Sequence, residues 1–296
     1  KRALDEAGDE NVAHRRVIGV SRFTDASAER SLRDAGVETI ACDLLEQGAL
    51  ERLPDAPNVV FMAGRKFGSS GSPELTWAMN TYLPAMVAQR YRASRIVAFS
   101  TGNVYPLLPV TSGGATENAP VGPVGEYAQS CLGRERMFEH FSHQFGTEVT
   151  IIRLNYAIDL RYGILHDVAT KVWNGAPVDV TMGNVNVIWQ GDANCMVLQA
   201  FRLCASPPTV LNVTGPETVS VRSLAVRFGE LFGKPPAIVG EEAPTALLNN
   251  AALAHSHFGY PRVPLDTMIR WVAHWVMHGG HAFGKPTHFE VRDGRF

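Results

Sequence analysis

The chain has 296 residues, and a composition of 45% hydrophobic and 19% charged residues is that of a globular protein with one large or two modest domains. Its net charge of −2 gives no electrostatic attraction to nucleic acid or to an anionic membrane. Four cysteines without C-x-x-C spacing are typical of a reducing compartment, and no apolar run approaches the roughly 20 residues that a spanning helix needs. We therefore expect a cytoplasmic protein that binds neither nucleic acid nor a membrane.

In the first half of the chain, short apolar runs alternate with helical patterns. Strands are predicted over 17–20, 37–41, 58–62, 96–99 and 149–154. Helices are predicted over 26–35, 47–52, 73–92 and 127–145, and residues 1–7 are expected to form the last turns of a helix that Gly8 can cap. Pro84 can kink the third of these helices. This alternation predicts βαβ units and an α/β fold with a doubly wound parallel sheet.

The rhythm changes after Leu154. Helical patterns cover 163–174, 192–204, 221–232 and 265–278, and short strands are predicted over 178–180, 185–189 and 209–213. The tail over 279–296 is weakly patterned. These features indicate a second, smaller lobe.

The most informative stretch begins R-I-V-A-F-S-T-G-N-V-Y-P and ends G-E-Y-A-Q-S-C-L-G-R-E-R. Ser100 and Thr101 leave a buried strand at its carboxyl end, where open α/β sheets bind ligands. Tyr127 then opens a helix. This arrangement resembles the extended short-chain dehydrogenase/reductase family, the sugar-nucleotide epimerases and dehydratases.

The resemblance implies a fold and an activity. It implies a dinucleotide-binding Rossmann domain over 1–155 and a substrate-side lobe over 156–296 that returns one or two strands to the main sheet. Tyr127 would be the acid/base group, and Thr101 would orient the substrate oxygen. The activity would be that of an NAD(P)-dependent epimerase, dehydratase or reductase acting on a sugar nucleotide or a related carbonyl or hydroxyl compound.

One residue departs from the family pattern. The family has a Lys four residues after the Tyr, and here that residue is Cys131. A phenol titrates near pH ~10 unaided, so without the ammonium Tyr127 would be a poor acid/base near neutral pH. The alternative is therefore a cofactor-binding protein that has lost turnover and serves as a sensor or partner-binding module.

Two cations could replace the missing charge, Lys66 and Arg134. Arg134 lies seven residues past Tyr127, roughly 10 Å along a helix, so exposed charges at these positions would hardly interact. Cys131 itself is either a reactive thiol or, as we prefer, a small residue packed under the cofactor.

For the cofactor, the resemblance assigns contacts at strand ends. Arg22 would bind an adenosine 2′-phosphate, which favours NADP over NAD, although a solvated Arg is the alternative. Asp43 would contact the adenine together with Leu44, or would cap a helix. The backbone of Ala63 and Gly64 would approach the cofactor, and the R-K-F-G-S-S-G-S segment is either a diphosphate contact or a surface loop. Further cofactor contacts are expected from Ser100, Cys131 and Asn155.

On the substrate side we predict contacts from Asn103, Tyr156 and Arg161. A metal site is not expected, because no carboxylate or Cys joins the histidine group His274, His278 and His281. Family members often pair through the helices here predicted over 73–92 and 127–145, so a homodimer is a further expectation.

The Gly-rich turn that binds the cofactor diphosphate in such folds does not precede Val17. In the strand order 3-2-1-4-5-6, the strand before this turn lies in the middle of the sheet. Unpaired buried backbone groups on its two neighbours would each cost about 1–3 kcal/mol. We therefore expect the native polypeptide to continue upstream of Lys1 with a strand and a G-x-x-G-x-x-G-like turn.

Overall fold

The computed structural model describes residues 16–66, 68–69, 71–285 and 287–295. The helix predicted over 1–7 lies outside these ranges. Among the described residues, no helix combines the length and the apolar character that a membrane crossing requires.

The main sheet has four parallel strands in the order β11-β6-β4-β3. They are β3 (Asn58–Phe61), β4 (Arg95–Thr101), β6 (Val149–Leu154) and β11 (Thr209–Val213). The central residues of β4 and β6, the two inner strands, are buried and mostly apolar, because helices cover both faces of the sheet. Ile96 and Ala98 of β4 point into one layer, and Val97 between them points into the other. The predicted α/β class with a parallel, doubly wound sheet is confirmed.

Helices of the first half lie between these strands. They are α1 (Ala26–Asp34), α2 (Pro73–Trp77), α3 (Leu83–Arg90) and the long α4 (Gly125–Phe145). A single 3₁₀ turn, Leu50–Arg52, replaces the short helix predicted over 47–52. The 21 residues of α4 carry Tyr127 in their first turn and end at Gly146, which adopts a left-handed conformation (φ +70°).

Two further strands form a separate ladder. β1 (Ile18–Ser21) pairs in parallel with β2 (Glu38–Ala41), with α1 as the crossover. In the described part of the chain, no ladder joins this pair to β3. Val20 and Ile40 nevertheless pack against the same hydrophobic layer as β3 and β4. The pair therefore belongs to the same layered domain.

The helix predicted over 73–92 contains a π-helical turn, Ala78–Tyr82, between α2 and α3. Pro84 follows this turn and has no N–H to donate to the carbonyl oxygen of Asn80, four residues earlier. That oxygen instead accepts a hydrogen bond of 3.3 Å from the Nε of Arg134 in α4. The hydrogen bond between Arg134 and Asn80 therefore links the π-helical turn before Pro84 to α4.

The second lobe has its own hydrophobic core around Leu165, Val172 and Phe228. The helices of the second half of the chain are α5 (Ile164–Trp173), α6 (Gln190–Gln199), α7 (Val221–Phe232), α8 (Ala252–Phe258) and α9 (Leu265–Met277). Of these, α5, α7 and α9 build the core of this lobe, whereas α6 and α8 pack against one face of the main sheet. The two-residue strands of this lobe are β5 (Leu108–Pro109), β7 (Ala157–Ile158), β8 (Val178–Asp179), β9 (Asn184–Val185), β10 (Ile188–Trp189), β12 (Val219–Ser220), β13 (Ile238–Val239) and β14 (Thr245–Ala246). The chain leaves this lobe to place β11 beside β6 in the main sheet. The division into domains at residue 155 stays a prediction.

Candidate functional site

The candidate site lies at the carboxyl edge of the main sheet. β4 ends at Thr101, and β6 ends at Leu154 and is followed by Asn155 and Tyr156. The turn into α4 needs Gly125, which has φ +81° and lies against the backbone of Gly294. Parallel strand ends and the first turn of α4 therefore meet in one crevice.

Tyr127 and Thr101 are hydrogen-bonded to each other through their side chains. The Tyr127 hydroxyl also hydrogen-bonds to the thiol of Cys131, one helical turn further on. Burial raises the pKa of Tyr127 far above its ordinary value; the hydrogen bond to Cys131 adds to this, and Thr101 and Arg134 oppose it. The two residues predicted to be catalytic therefore share the crevice, but the phenol is held in its neutral form.

Cys131 is almost fully buried, with 1% of its surface exposed. Burial raises the pKa of its thiol, against the opposing charges of Arg134 and Lys66 and the hydrogen bond from Tyr127. The environment of Cys131 thus favours a neutral thiol packed beneath the tyrosine. This agrees better with the packing residue we prefer than with the reactive thiol.

The expectation that Arg134 would hardly interact with Tyr127 is wrong. Arg134 is 6% exposed and donates 2.7 Å to the carbonyl oxygen of Phe99 and 2.9 Å to Oδ1 of Asn80. Its charge lowers the pKa of both Tyr127 and Cys131, because a buried charge is not screened by salt as a surface charge is. The sequence estimate assumed exposed side chains.

Lys66 reaches the same crevice from the loop after β3. Its Nζ lies 5.9 Å from the centroid of the Tyr127 ring and 3.3 Å from the carbonyl oxygen of Thr287, to which it donates. Burial lowers the pKa of Lys66 to about 8, and Cys131 and Asp167 oppose this shift. Below that pH an ammonium group therefore stands beside the tyrosine ring.

Asn80 fastens the Lys66 loop to α4. It accepts 2.8 Å from the backbone N–H of Arg65 and donates 2.8 Å to the carbonyl oxygen of Arg65. It also donates to Ser130 Oγ, which in turn donates to the carbonyl oxygen of Tyr127. Asn80 therefore has a structural role: it holds the loop that carries Lys66 against the first turn of α4.

A buried ion pair lies below the crevice. Arg153 of β6 and Glu135 of α4 are 2.7 Å apart. Ser100 Oγ donates 2.5 Å to the same carboxylate, and Arg153 donates 2.7 Å to the hydroxyl of Tyr105. The Ser100 hydroxyl is therefore committed inside the protein, so any cofactor contact from Ser100 would come from its backbone.

A cavity of about 40 Å³ opens beside Tyr105. Two predicted substrate contacts, Asn103 and Tyr156, line it. Tyr156 has φ +40°, an uncommon value for a residue with a side chain, and burial raises the pKa of its phenol. Arg161 is not among the lining residues: it forms an ion pair of 2.8 Å with Asp159, and its charge is already neutralised there. The prediction that Arg161 binds a substrate anion does not fit this geometry.

Residues 287–295, which we call the C-terminal strap, close one side of this cavity. The backbone N–H and the hydroxyl of Thr287 donate 2.7 Å and 2.6 Å to Oδ2 of Asp167. Phe289 is buried in the core of the second lobe, and Arg292 donates to the backbone and hydroxyl of Thr245. The strap thus runs from Lys66 to the start of α4 at Gly125. The sequence of the strap is weakly patterned and predicts neither a helix nor a strand. Its single Phe, Phe289, is the one residue whose type indicates a buried segment.

The residues predicted for the adenosine end of a cofactor lie at the ends of β1 and β2. Arg22 and Asp43 are exposed there, and Leu44 is half-buried. The carboxylate of Asp25 caps α1 by accepting from the backbone and hydroxyl of Ser27, so it is not directed at Arg22. Asp43 accepts 3.1 Å from the backbone of Leu45 in a turn rather than capping an α-helix.

Two features test whether a dinucleotide fits this edge. A Cβ atom on Gly64 would lie 2.5 Å from Nη2 of Arg134, so a larger residue at position 64 would collide with the guanidinium. Ala63, the residue before it, is half-buried. Two buried donors, Asn155 Nδ2 and Arg65 Nε, have no hydrogen-bond partner within the described ranges. Buried donors of this kind normally find a partner, so their presence beside the crevice fits a polar ligand.

Comparisons with known proteins agree with the fold and identify the family. The model of the NAD dependent epimerase/dehydratase family matches residues 2–158, which is more than half of the chain. No curated protein matches. A parallel Rossmann-type sheet with Thr and Tyr at its carboxyl edge defines a nucleotide-binding α/β protein. More narrowly, the chain belongs to the NAD dependent epimerase/dehydratase family.

Solved structures share the fold at low sequence identity. A UDP-glucuronic acid 4-epimerase from Bacillus cereus, in complex with UDP-glucuronic acid and NAD, has a TM-score of 0.77 at 15% identity, over 94% of this chain and 95% of that one. A UDP-glucose 4-epimerase from Thermotoga maritima, with UDP-glucose, gives 0.74 at 15%, over 94% and 96%. A double mutant of dTDP-glucose 4,6-dehydratase from Streptomyces venezuelae gives 0.77 at 18%, over 93% and 92%.

Proposed function

We propose that the protein is an NAD(P)-dependent oxidoreductase of the epimerase/dehydratase kind, acting on a hydroxyl or carbonyl carbon of a sugar nucleotide or a related compound. One observation carries the proposal: the hydrogen bond between Tyr127 and Thr101 at the carboxyl end of β4. A proton acceptor and a residue that orients the same oxygen stand together where α/β sheets bind ligands.

When bound, the nicotinamide would accept and return a hydride. Tyr127 would take the proton from a substrate hydroxyl and give it back, and Thr101 would hold the substrate oxygen in line with the phenol. Asn103 and Tyr156 would contact the substrate from the wall of the cavity. General acid/base catalysis of this type contributes about 10²–10⁴-fold to a rate.

The cofactor would extend along the strand ends. Arg22 would pair with an adenosine 2′-phosphate, which favours NADP, and Asp43 with Leu44 would flank the adenine. The backbone of Ala63 and Gly64 would approach the ribose side. Asn155 would donate its unpartnered amide to the nicotinamide end, and Cys131 would pack beneath it.

A sugar nucleotide needs several hundred Å³, since ligand pockets span about 300–1,000 Å³. The cavity beside Tyr105 holds about 40 Å³. This cavity would therefore hold only part of a sugar nucleotide, whose remainder would extend along the open edge of the sheet, whereas a small polyol would fit closer to Asn103 and Tyr156. A substrate panel should include both classes.

The alternative function, an NAD(P)-binding protein without turnover that acts as a sensor or partner-binding module, has one specific observation in its favour. Cys131 replaces the family lysine, and burial raises the pKa of Tyr127. In such a protein, Tyr127 and Thr101 would only bind a ligand.

One experiment separates the two functions. NADH and NADPH binding is measured by nicotinamide fluorescence, and NAD or NADP is then incubated with UDP-sugars, dTDP-sugars and small polyols while the nicotinamide absorbance is followed. The enzyme should convert at least one class, seen by chromatography as a new product or by absorbance as net reduction of the cofactor, because an epimerase or dehydratase returns the hydride and leaves the cofactor oxidised. Arg22→Ala should weaken NADPH binding about 10–100-fold while sparing NADH. Tight cofactor binding with neither a new product nor an absorbance change, together with activity created by Cys131→Lys, would favour the sensor.

We further propose a homodimer that forms through α2, α3 and α4. These helices pack closely, since a Cβ atom on Gly133 would lie 2.6 Å from Thr81 Oγ1. Leu75 and Tyr82 remain exposed on their outer side. Light scattering should give twice the mass of one chain, and Tyr82→Glu should give a monomer. A monomeric wild type at high concentration would refute this interface.

A further inference from the structure

The chemistry proposed for Tyr127 needs a positive charge that position 131 does not supply. Burial holds both the phenol of Tyr127 and the thiol of Cys131 in their neutral forms. A tyrosinate formed during turnover would therefore be costly unless a cation faced it. The described residues offer two cations here, Arg134 on α4 itself and Lys66 on the loop after β3.

Arg134 is committed to holding the fold together. Its guanidinium donates to Asn80 and to the carbonyl oxygen of Phe99, and it lies over the ring of Phe61. These contacts tie α4 to β4 and to the π-helical turn. Arg134 therefore carries a positive charge at a fixed position, and its side chain does not move when Tyr127 gains or loses a proton.

Lys66 stands in a different relation to the tyrosine. Its ammonium lies over the Tyr127 ring at 5.9 Å from the centroid, and it donates a hydrogen bond of 3.3 Å to the carbonyl oxygen of Thr287. The loop below it is fixed by the two hydrogen bonds between Asn80 and the backbone of Arg65. A rigid backbone thus presents a long side chain beside Tyr127.

The titratable and charged groups around this pair come from two helices. Cys131 and Arg134 of α4 act on Tyr127, and Asp167 of α5 and Cys131 act on Lys66. Asp167 also accepts hydrogen bonds from the backbone and hydroxyl of Thr287. Lys66 therefore lies within electrostatic reach of a carboxylate in the second lobe and beside the ring of Tyr127 in the first.

We propose that Lys66 is the positioning residue that supplies, from the loop after β3, the positive charge that Tyr127 lacks at position 131. In this protein the ammonium would come from the loop after β3, whereas in the family it comes from the helix that carries the tyrosine. This inference rests on the proposed function for its biological meaning. Its physical content, a charge coupling between Lys66 and Tyr127, holds with or without turnover.

The coupling is measured by titrating position 127 directly. Tyr127 is replaced by a fluorinated tyrosine through amber suppression, because fluorination makes the phenol much more acidic and brings its ionisation into a range where the protein stays folded. Phenolate absorbance is recorded against the unsubstituted protein, which removes the signal of the other tyrosines. A unit charge about 6 Å away predicts that Lys66→Met raises the apparent pKa by about one to two pH units.

Matched variants separate charge from packing. Lys66→Arg should leave the pKa of the fluorinated phenol near that of the parent, since the charge is retained. Cys131→Lys in the Lys66→Met background should lower it again. Lys171→Met should have no effect: its ammonium lies 5.8 Å from the centroid of Phe289 and thus makes the same kind of contact away from the site.

The proposal is overturned if Lys66→Met leaves this titration unchanged while circular dichroism shows a folded protein. If Lys66→Met does not fold, the comparison is made between Lys66→Gln and Lys66→Arg, and equal titrations overturn the proposal. Neither measurement uses cofactor or substrate. Failure of the proposed function would appear as absent nicotinamide chemistry, and failure of this inference as an unshifted phenol.

Discussion

Arg153 and Glu135 form an ion pair of 2.7 Å whose side chains are 5% and 0% exposed. The pair joins β6 to α4 directly beneath the crevice, and it also gathers the hydroxyl groups of Ser100 and Tyr105. The strand end that carries Thr101 and the helix that carries Tyr127 are therefore held in register by a buried charge pair with complete hydrogen bonding.

Removing one member of this pair should be severe. Glu135→Gln leaves the guanidinium of Arg153 buried without its counter-ion, so the free energy of unfolding should fall by about 3–5 kcal/mol in urea titrations. Glu139→Gln is the control, because its ion pair with Arg136 lies nearer the surface and should contribute at most about 1 kcal/mol. Equal losses in the two variants would show that the buried pair has no special role.

The stability of the protein should depend on pH through Lys66. Its pKa falls from 10.5 in the unfolded chain to about 8 in the folded protein. Between these values the unfolded chain binds more protons, so folding becomes more favourable as the pH rises. Each pH unit of this difference corresponds to about 1.4 kcal/mol, so the wild type should gain about 3 kcal/mol relative to Lys66→Met over this window.

Urea titrations from about pH 7 to about pH 10 measure this gain, with Lys171→Met as the variant whose difference from the wild type should stay flat. A flat difference for Lys66→Met as well would mean that its ammonium is not buried in solution.

The C-terminal strap should depend on Asp167. Asp167→Ala removes the acceptor of both Thr287 hydrogen bonds, and hydrogen bonds to a charged group contribute about 1.5–3 kcal/mol. Hydrogen exchange of residues 287–295 should therefore accelerate about 10–100-fold with little change elsewhere.

A matched control exists in the same lobe. The carboxylate of Asp179 accepts from the backbone and hydroxyl of Thr181 at 2.8 Å and 2.6 Å, so Asp179→Ala removes an equivalent arrangement away from the strap. Unchanged strap exchange in Asp167→Ala, or equal acceleration in both variants, would refute the anchoring role.

Some of the site could be predicted from local sequence. Thr101 follows a short buried strand and Tyr127 opens an amphipathic helix, and parallel strand ends must meet at one edge of a sheet. That topological rule alone predicts that the two residues lie at one crevice.

Other features depend on tertiary context that local patterns do not carry. The burial of Arg134 follows from the small residue Gly64 and from the carbonyl oxygen that Pro84 leaves unpaired, and neither is visible as a charge interaction in the sequence. Arg161 forms an ion pair with Asp159, two residues earlier. The sequence shows the arginine but does not show that its charge is already paired. The strap is held by contacts more than a hundred residues apart.

The central claim, that Tyr127 is the acid/base group of a nicotinamide-dependent reaction, is tested most directly by the rate at which an active substrate is converted to product. We predict that Tyr127→Phe slows this rate about 10²–10⁴-fold, while Tyr260→Phe, at a tyrosine that is 72% exposed, leaves it unchanged. Equal rates of conversion in the wild type and in a folded Tyr127→Phe variant that still binds the cofactor would contradict the claim.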